Sequence, residues 1–439
     1  MTTATVQLWG TTIGYVSMGS NETYARFEYD PGFVKNGIEL APFMMPAKKG
    51  VIYRFPDLHP RSFHGLPGML SDSLPDKFGN RLIDVWLAQT GRLTGDFNAV
   101  DRLCYVGRRG MGALEFIPAN DSVGESSKEL HIRELVELAS IAFAEKKSLD
   151  TKLNQTDDQG LIDILSVGAS AGGARAKAVI AYNRETGSVR SGQLDLPTGY
   201  EHWLIKFDGV QFSGDWGIAD PAGYGLLEYS YYKIALECGI QMMESRLFTE
   251  NGRSHFMTRR FDRPNTQNGS NENGPEKSFV QTLAALRHFD YFESGAYSYE
   301  QIIMSMRELN MPTSMIEQQV RRTIFNLVAC NQDDHVKNFA FIMSRQGEWS
   351  LSPAYDLCHS EGSEFTKTHQ LSLNHNLKNF SMADLKHLEE YAGLPRNSHK
   401  EMLKRTVSAF SGWDKLAAEL KIPKRLREHV RDTQRMSWQ

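Results

Sequence analysis

The chain has 439 residues, 41% of them apolar and 23% charged, with 53 acidic against 49 basic side chains and a formal charge of −4. A single core stops growing at roughly 250–300 residues, so this length implies more than one lobe or domain. The near-balance of charge gives no coat for nucleic acid or membrane, and the four cysteines, Cys104, Cys238, Cys330 and Cys358, lie too far apart for a zinc site or disulfide framework and read as reduced thiols of a cytoplasmic protein.

The opening MTTATVQLWG lacks the basic-then-apolar pattern of a signal peptide. No run of about 18 apolar residues is present to span a membrane. Val6 and Leu8, then Ile13, Tyr15 and Val16, alternate with polar residues around Gly10 and Gly14 and predict a β-hairpin. A helix is expected over Pro75 to Gln89, with Ser73 as cap and Gly91 beyond its end. Phe78, Leu82, Val85 and Trp86 share one face of it, as core rather than binding stripe. An α+β module thus fills residues 1–120, and Asn120 to Lys128 reads as a linker.

Residues 129–148 are expected to be helical and Thr151 to Gln159 a polar loop. The Gly/Ala-rich segment Ser166 to Lys177 then runs into a strand, Ala178 to Tyr182, and a second strand, Trp203 to Phe207, carries Lys206. A helix over Gly225 to Cys238 and a strand over His255 to Thr258 lead to the charged run Arg259-Arg260-Phe261-Asp262-Arg263. Asn265 to Lys277 holds no large apolar residue and reads as an exposed loop closing a second region, 129–262. From Phe279 the pattern is mostly helical to residue 439, interrupted by a hairpin with strands Phe339–Met343 and Trp349–Ser352. A mixed α/β middle before a helical second half fits a two-lobed nucleotide kinase, one option among several on pattern alone.

Four constellations carry chemistry. Small residues in Ser166 to Lys177 allow backbone N–H groups near phosphate oxygens, although Ala174-Arg175 stands where a Walker A loop has Lys-Ser/Thr, and a plain tight turn is the alternative. Lys206 could place a point charge on nucleotide phosphates, or face solvent from an edge strand. Asn331-Gln332-Asp333-Asp334-His335-Val336-Lys337-Asn338 is polar between an apolar helix, Met315 to Cys330, and an apolar strand. Asp333 and Asn338 have the D-x-x-x-x-N spacing in which a carboxylate orients a hydroxyl and an amide binds a metal. Asp356 in Ser352-Pro353-Ala354-Tyr355-Asp356-Leu357, just past a short strand, suits a metal-binding acid or a turn. Their order along the chain is that of a kinase-like phosphotransferase.

Gly172-Gly173-Ala174-Arg175-Ala176-Lys177, Arg260-Phe261-Asp262-Arg263, Asp334-His335-Val336-Lys337-Asn338-Phe339 and Ser352 to Leu357 resemble the successive motifs of the HipA-type serine/threonine kinases, toxins of type II toxin–antitoxin systems. The family pattern is roughly GGARPKA, RFDR, DDHxKNF and LAPAYD. Leu74-Pro75-Asp76 and Val106 to Ala113 resemble the family's N-terminal module. The resemblance spans nearly the whole chain. It implies an α+β, two-lobed protein-kinase-like fold with an N-terminal α+β subdomain and a mostly helical C-terminal lobe. It further implies that Gly172 to Lys177 wrap the phosphates of ATP, that Lys206 holds them, and that Arg259, Arg260 and Phe261 touch adenine, largely by backbone. Asp333 would be the catalytic base. His335, Lys337, Asn338, Tyr355 and Asp356 would line the nucleotide, with Asn338 and Asp356 on Mg²⁺. Ser170, or secondarily Ser166, matches an autophosphorylated serine whose phosphate would compete with ATP. Implied partners are a protein substrate, such as an aminoacyl-tRNA synthetase, and a HipB-like helix-turn-helix antitoxin through which operator DNA is met.

Two departures stand out: Ala176 replaces a frequent proline, and Arg259 stands where an acidic residue can occur. A small-molecule phosphotransferase would use the same apparatus. A non-catalytic DNA-associated corepressor is a further alternative. Its motif would be the basic tail Lys421 to Gln439, which reads more readily as a solvated amphipathic helix.

Overall fold

The computed structural model describes residues 1–75, 77–89, 91–93, 95, 97–119, 130–143, 175–193, 196–210, 222–264, 277–362 and 365–439. The expected linker, the loop Thr151 to Gln159, Ser166 to Ala174 of the Gly/Ala-rich segment and residues 265–276 lie outside them. The chain divides into two compact units, one of Met1–Ala222, Phe248–Gln281 and Ala285–His288, the other of Gly223–Leu247, Thr282–Ala284 and Phe289–Gln439.

The first unit opens on the expected hairpin, β1 (Thr2–Leu8) and β2 (Thr11–Met18), with a register shift at Val6/Gln7. β3 (Arg26–Tyr29), β4 (Ile52–Tyr53) and β5 (Leu114–Ile117) complete a five-stranded sheet in the order β4-β3-β2-β1-β5. Gly14 is required there, since a Cβ would run into the Glu28 carbonyl and the Phe27 ring. Helix α1 (Lys77–Gln89) follows Pro75, and α2 (Ala99–Val106) opens on a capping box of Asn98 and Asp101.

A second sheet combines β6 (Lys177–Asn183), β7 (Val189–Ser191), β8 (Tyr200–Lys206), β9 (Ser245–Glu250) and β10 (Arg253–Arg259) in the order β7-β6-β8-β10-β9. Phe78, Leu82 and Val85 of α1 share one core with Ile132 and Leu135 of α3 (Ile132–Phe143) and with Ile180, Trp203 and Ile205 of this sheet. The aromatic face of α1 is thus core, as its spacing suggested, and Trp86 packs on Phe97 and Tyr105.

Within the same unit, the run Arg260 to Arg263 is buried. Asp262, 1% exposed, accepts from Arg260 Nε (2.8 Å), Arg263 Nη1 (2.7 Å) and the backbone N–H of Gly112 (2.8 Å). Arg263 in turn donates to the carbonyls of Gly110 (3.1 Å) and Gly112 (3.0 Å). Gly112 has φ +75°, a backbone region open to glycine, and the Val106–Ala113 motif is the socket that this geometry makes. Burial would push the Asp262 carboxyl up, but the two guanidiniums override it and hold it well below the usual range.

The second unit is mostly helical. Its longer helices are α4 (Tyr224–Glu237), α5 (Tyr299–Glu308), α6 (Thr313–Ala329), α7 (Met382–Ala392), α8 (Ser398–Ser411), α9 (Trp413–Glu419) and α10 (Lys424–Thr433). Tyr231 of α4 meets Phe325 of α6, Phe410 of α8 and Trp413 of α9 with ring centroids 5.5–6.0 Å apart, all near edge-on, the favoured aromatic geometry. Glu389 of α7 takes both Nδ1 (2.6 Å) and the backbone N–H (3.0 Å) of His399 on α8. No helix among the described residues is long and apolar enough to cross a membrane.

Candidate active site

Helix α6 sets the site. It ends because Cys330 takes a left-handed conformation (φ +55°, ψ 45°) and returns its N–H to Asn326. The chain then leaves as the polar loop and closes in a short 3-10 turn, Val336–Asn338, before the strand Ala340–Met343. Asn338 Nδ2 donates to the Asp333 carbonyl (2.6 Å), so the two ends of the D-x-x-x-x-N loop are pinned together. That bond uses the amide NH₂ and leaves Asn338 Oδ1 as the atom for a cation. The Asp333 carboxylate is 46% exposed, with His335 Nε2 at 3.7 Å. It can therefore meet an incoming hydroxyl.

Asp334 points the other way. Its side chain is fully buried and accepts from Tyr299 Oη, His369 Nδ1 (2.7 Å) and the Gln370 backbone N–H (2.7 Å). Burial and the Asp334 charge push the Tyr299 hydroxyl well above its usual value, so it stays a donor. None of Tyr299, His369 or Gln370 stands out in the sequence, since each lies 35 or more residues from Asp334.

The hairpin of Ala340–Met343 and Trp349–Leu351 carries the chain to Asp356. Buried Arg322 on α6 donates to the Ser352 carbonyl (2.6 Å), and Ala354 N–H donates to Gln241 (2.8 Å). Tyr355 Oη donates to the Lys337 carbonyl (2.7 Å), which fastens the Asp356 loop to the residue before Asn338. Asp356 has φ +53°, a strained value for a residue with a Cβ and one that clusters at functional sites. The Lys337 ammonium lies 4.9 Å from the Tyr291 ring centroid, and Tyr291 and Phe365 flank the His335 ring at 5.7 and 6.2 Å.

Among the described residues no group of three or more His, Cys, Asp or Glu forms a metal cage. An amide oxygen and a carboxylate on fastened loops instead suit Mg²⁺, which keeps waters and takes few protein ligands beside phosphate oxygens.

The first unit holds the other sequence-derived residues. Lys206 ends β8, a strand flanked by β6 and β10, so the edge-strand alternative does not apply. Its register partners are Lys177 and Phe256, whose ring centroid lies 5.8 Å from Lys206 Nζ. Lys177 is 2% exposed at the start of β6. Ala176 belongs to the apolar core and its carbonyl takes the Phe207 N–H (3.0 Å). Arg260 has its guanidinium on Asp262 and its N–H on the His202 carbonyl (3.0 Å). Arg259 lies opposite Trp203 in the ladder, and Phe261 follows it. Arg175 precedes β6, whereas Gly172, Gly173, Ala174, Ser166 and Ser170 lie outside the described residues.

The architecture is α+β and protein-kinase-like, with two lobes, an N-terminal α+β subdomain and a mostly helical C-terminal lobe. Residues 169–413 match the HipA-like C-terminal domain and residues 4–117 the HipA N-terminal domain. The chain belongs to the HipA family. HipA of Shewanella oneidensis MR-1, solved in its toxin–antitoxin complex with HipB and operator DNA, is similar in fold at TM-score 0.65 and 15% identity, covering 98% of this chain and 100% of that one. Y4mE of Sinorhizobium fredii (strain NBRC 101917 / NGR234), a conjectured kinase by its name, is 26% identical over 126 residues, 28% of this chain. The match spans only 30% of that relative's length.

Proposed function

We propose that the protein is an ATP- and Mg²⁺-dependent serine/threonine protein kinase, the toxin of a toxin–antitoxin pair acting in the cytoplasm. One observation carries the reading: Asn338 is fastened to the Asp333 carbonyl and Tyr355 to the Lys337 carbonyl, which brings an exposed carboxylate together with the loops bearing Asn338 and Asp356. Asp333 takes the proton of the acceptor hydroxyl, and its lone pair direction is set by the pinned loop. Asn338 Oδ1 and the Asp356 carboxylate would hold Mg²⁺. When bound, Mg²⁺ screens the phosphate oxygens and spreads the charge of the transferring group.

Lys206 and Lys177 are register partners across the β6–β8 ladder, and their positive charges serve the phosphates of the nucleotide. Gly172, Gly173, Ala174 and Arg175 supply phosphate contacts, Arg259 and the Phe261 backbone supply adenine contacts, and His335 and Tyr355 line the nucleotide. Phosphorylation of Ser170 adds nearly two negative charges to the loop that holds ATP phosphates, which switches the enzyme off. The protein substrate is a cytosolic protein such as an aminoacyl-tRNA synthetase. The regulatory partner is a HipB-like antitoxin that brings operator DNA, the company kept by the Shewanella oneidensis protein.

The test supplies γ-labelled ATP and Mg²⁺ with a protein extract or with small alcohols and aminoglycosides as acceptors. Label on protein, including the kinase itself, is expected, and Ser170→Ala removes the self-labelling. Label on small molecules alone would make this a small-molecule phosphotransferase. No label and no ATP binding would leave the non-catalytic corepressor.

A further inference from the structure

The proposed base and its neighbour have opposite surroundings. Asp333 faces solvent at 46% exposure, while the Asp334 side chain, one peptide on, has no exposure at all. The hydrogen bonds that hold the Asp334 carboxylate come from outside its own loop: Tyr299 on α5, and His369 Nδ1 and the Gln370 N–H just before the strand Leu371–Ser372. An ionised carboxylate only accepts, so Nδ1 of His369 carries the proton.

The clamp has a second layer. The Gln370 side-chain amide donates to the carbonyls of Gln332 (3.2 Å), Thr368 (3.0 Å) and Phe365, and the Gln370 backbone carbonyl takes the Gly295 N–H (2.9 Å). Asn326 donates to Tyr299 Oη (3.2 Å) and accepts from Asn331 (3.0 Å), which ties α6 to the same network. The segment Phe365 to Gln370 thus holds the polar loop on both sides of Asp333, at Gln332 and at Asp334.

We propose that Asp334 is a positioning residue, and that the His369–Gln370 segment, seated on it, fixes the direction in which Asp333 presents its carboxylate. This deepens the kinase reading and rests on it. With the clamp released, Asp333 keeps its chemistry but loses its aim. A misplacement of about 1 Å lowers turnover by about 100-fold. The geometry also makes this segment the place where anything that lifts residues 365–370 would slow the enzyme without touching nucleotide.

The experiment compares wild type, Asp333→Asn, His369→Ala, His369→Asn and Tyr299→Phe for kcat, KM for ATP, and Tm. Asparagine Nδ2 occupies the place of histidine Nδ1, so His369→Asn keeps the donor to Asp334 while losing the ring packed on Phe380 at 5.3 Å. The expected result is a kcat lower by about 100-fold in His369→Ala with KM for ATP unchanged, and recovery to within a few-fold of wild type in His369→Asn. Unchanged kcat in His369→Ala overturns the inference, as does equal loss in both His369 variants, which would assign the effect to ring packing. Should His369→Ala not fold, Tyr299→Phe decides, since it removes one donor and keeps its ring: unchanged kcat there overturns the proposal. Full activity in Asp333→Asn would instead overturn the kinase reading itself, whatever His369 does.

Discussion

The carboxylate of Asp262 accepts the backbone N–H of Gly112 from 150 residues earlier in the chain, and shares itself between Arg260 and Arg263. Both guanidiniums are buried, and burial together with Arg260 pulls Arg263 down to about 10. Removing the only carboxylate of this triad leaves two charges in a site closed to water. Asp262→Ala is expected to destabilise the first unit by about 3–5 kcal/mol, read from the denaturant midpoint. A loss below about 1 kcal/mol would show that water reaches the arginines.

Acid should weaken the fold through its buried histidines. Burial, reinforced by Arg260, lowers His202 to about 3, burial lowers His255 to about 4, and burial with neighbouring His429 lowers His359 to about 3, against 6.5 for an exposed ring. Below pH 6.5 the unfolded chain takes protons that the folded chain refuses, so stability is complete above 6.5 and falls as the pH drops toward 3–4. Each ring contributes up to about 1.4 kcal/mol per pH unit across that window. Calorimetry at pH 7.5 and 5 should show a clear fall in Tm, smaller in His359→Gln. Equal Tm at both pH values would contradict the assignment.

Tyr355→Phe removes one hydrogen bond, from the hydroxyl to the Lys337 carbonyl, and keeps the ring. The bond is worth about 1 kcal/mol. The expected outcome is a several-fold higher Mg²⁺ concentration for half-maximal activity, with Tm nearly unchanged. An unchanged Mg²⁺ requirement would mean that the Asp356 loop holds its place without the Tyr355 hydroxyl.

Periodicity made much of the fold legible. The β1–β2 hairpin, α1, α4, α6 and the Ala340–Leu351 hairpin were each expected within a few residues, from apolar runs bounded by turn residues. β7 and β9 were not, since Val189–Ser191 is three residues long and Ser245–Glu250 is mostly half-buried and carries Arg246 and Glu250. Nothing in the charged run itself indicated that Arg260 and Arg263 are buried, since charge ordinarily means surface. The carbonyls of Gly110 and Gly112 and the Gly112 N–H, far away in sequence, meet it in the core. In the site, Asp333, Asn338 and Asp356 were visible as polar residues bracketed by apolar elements. The Asp334–His369 pair was not, because no local pattern links residues 35 apart.

The central claim is that Asp333 is the base of a phosphoryl transfer. The most direct measurement is transfer of γ-label from ATP by wild type and Asp333→Asn, alongside calorimetric binding of ATP with Mg²⁺ to each. The account predicts that Asp333→Asn binds ATP with near wild-type affinity while transfer falls by 10²–10⁴-fold, the range for loss of a positioned acid–base group. Transfer by Asp333→Asn at the wild-type rate would contradict it.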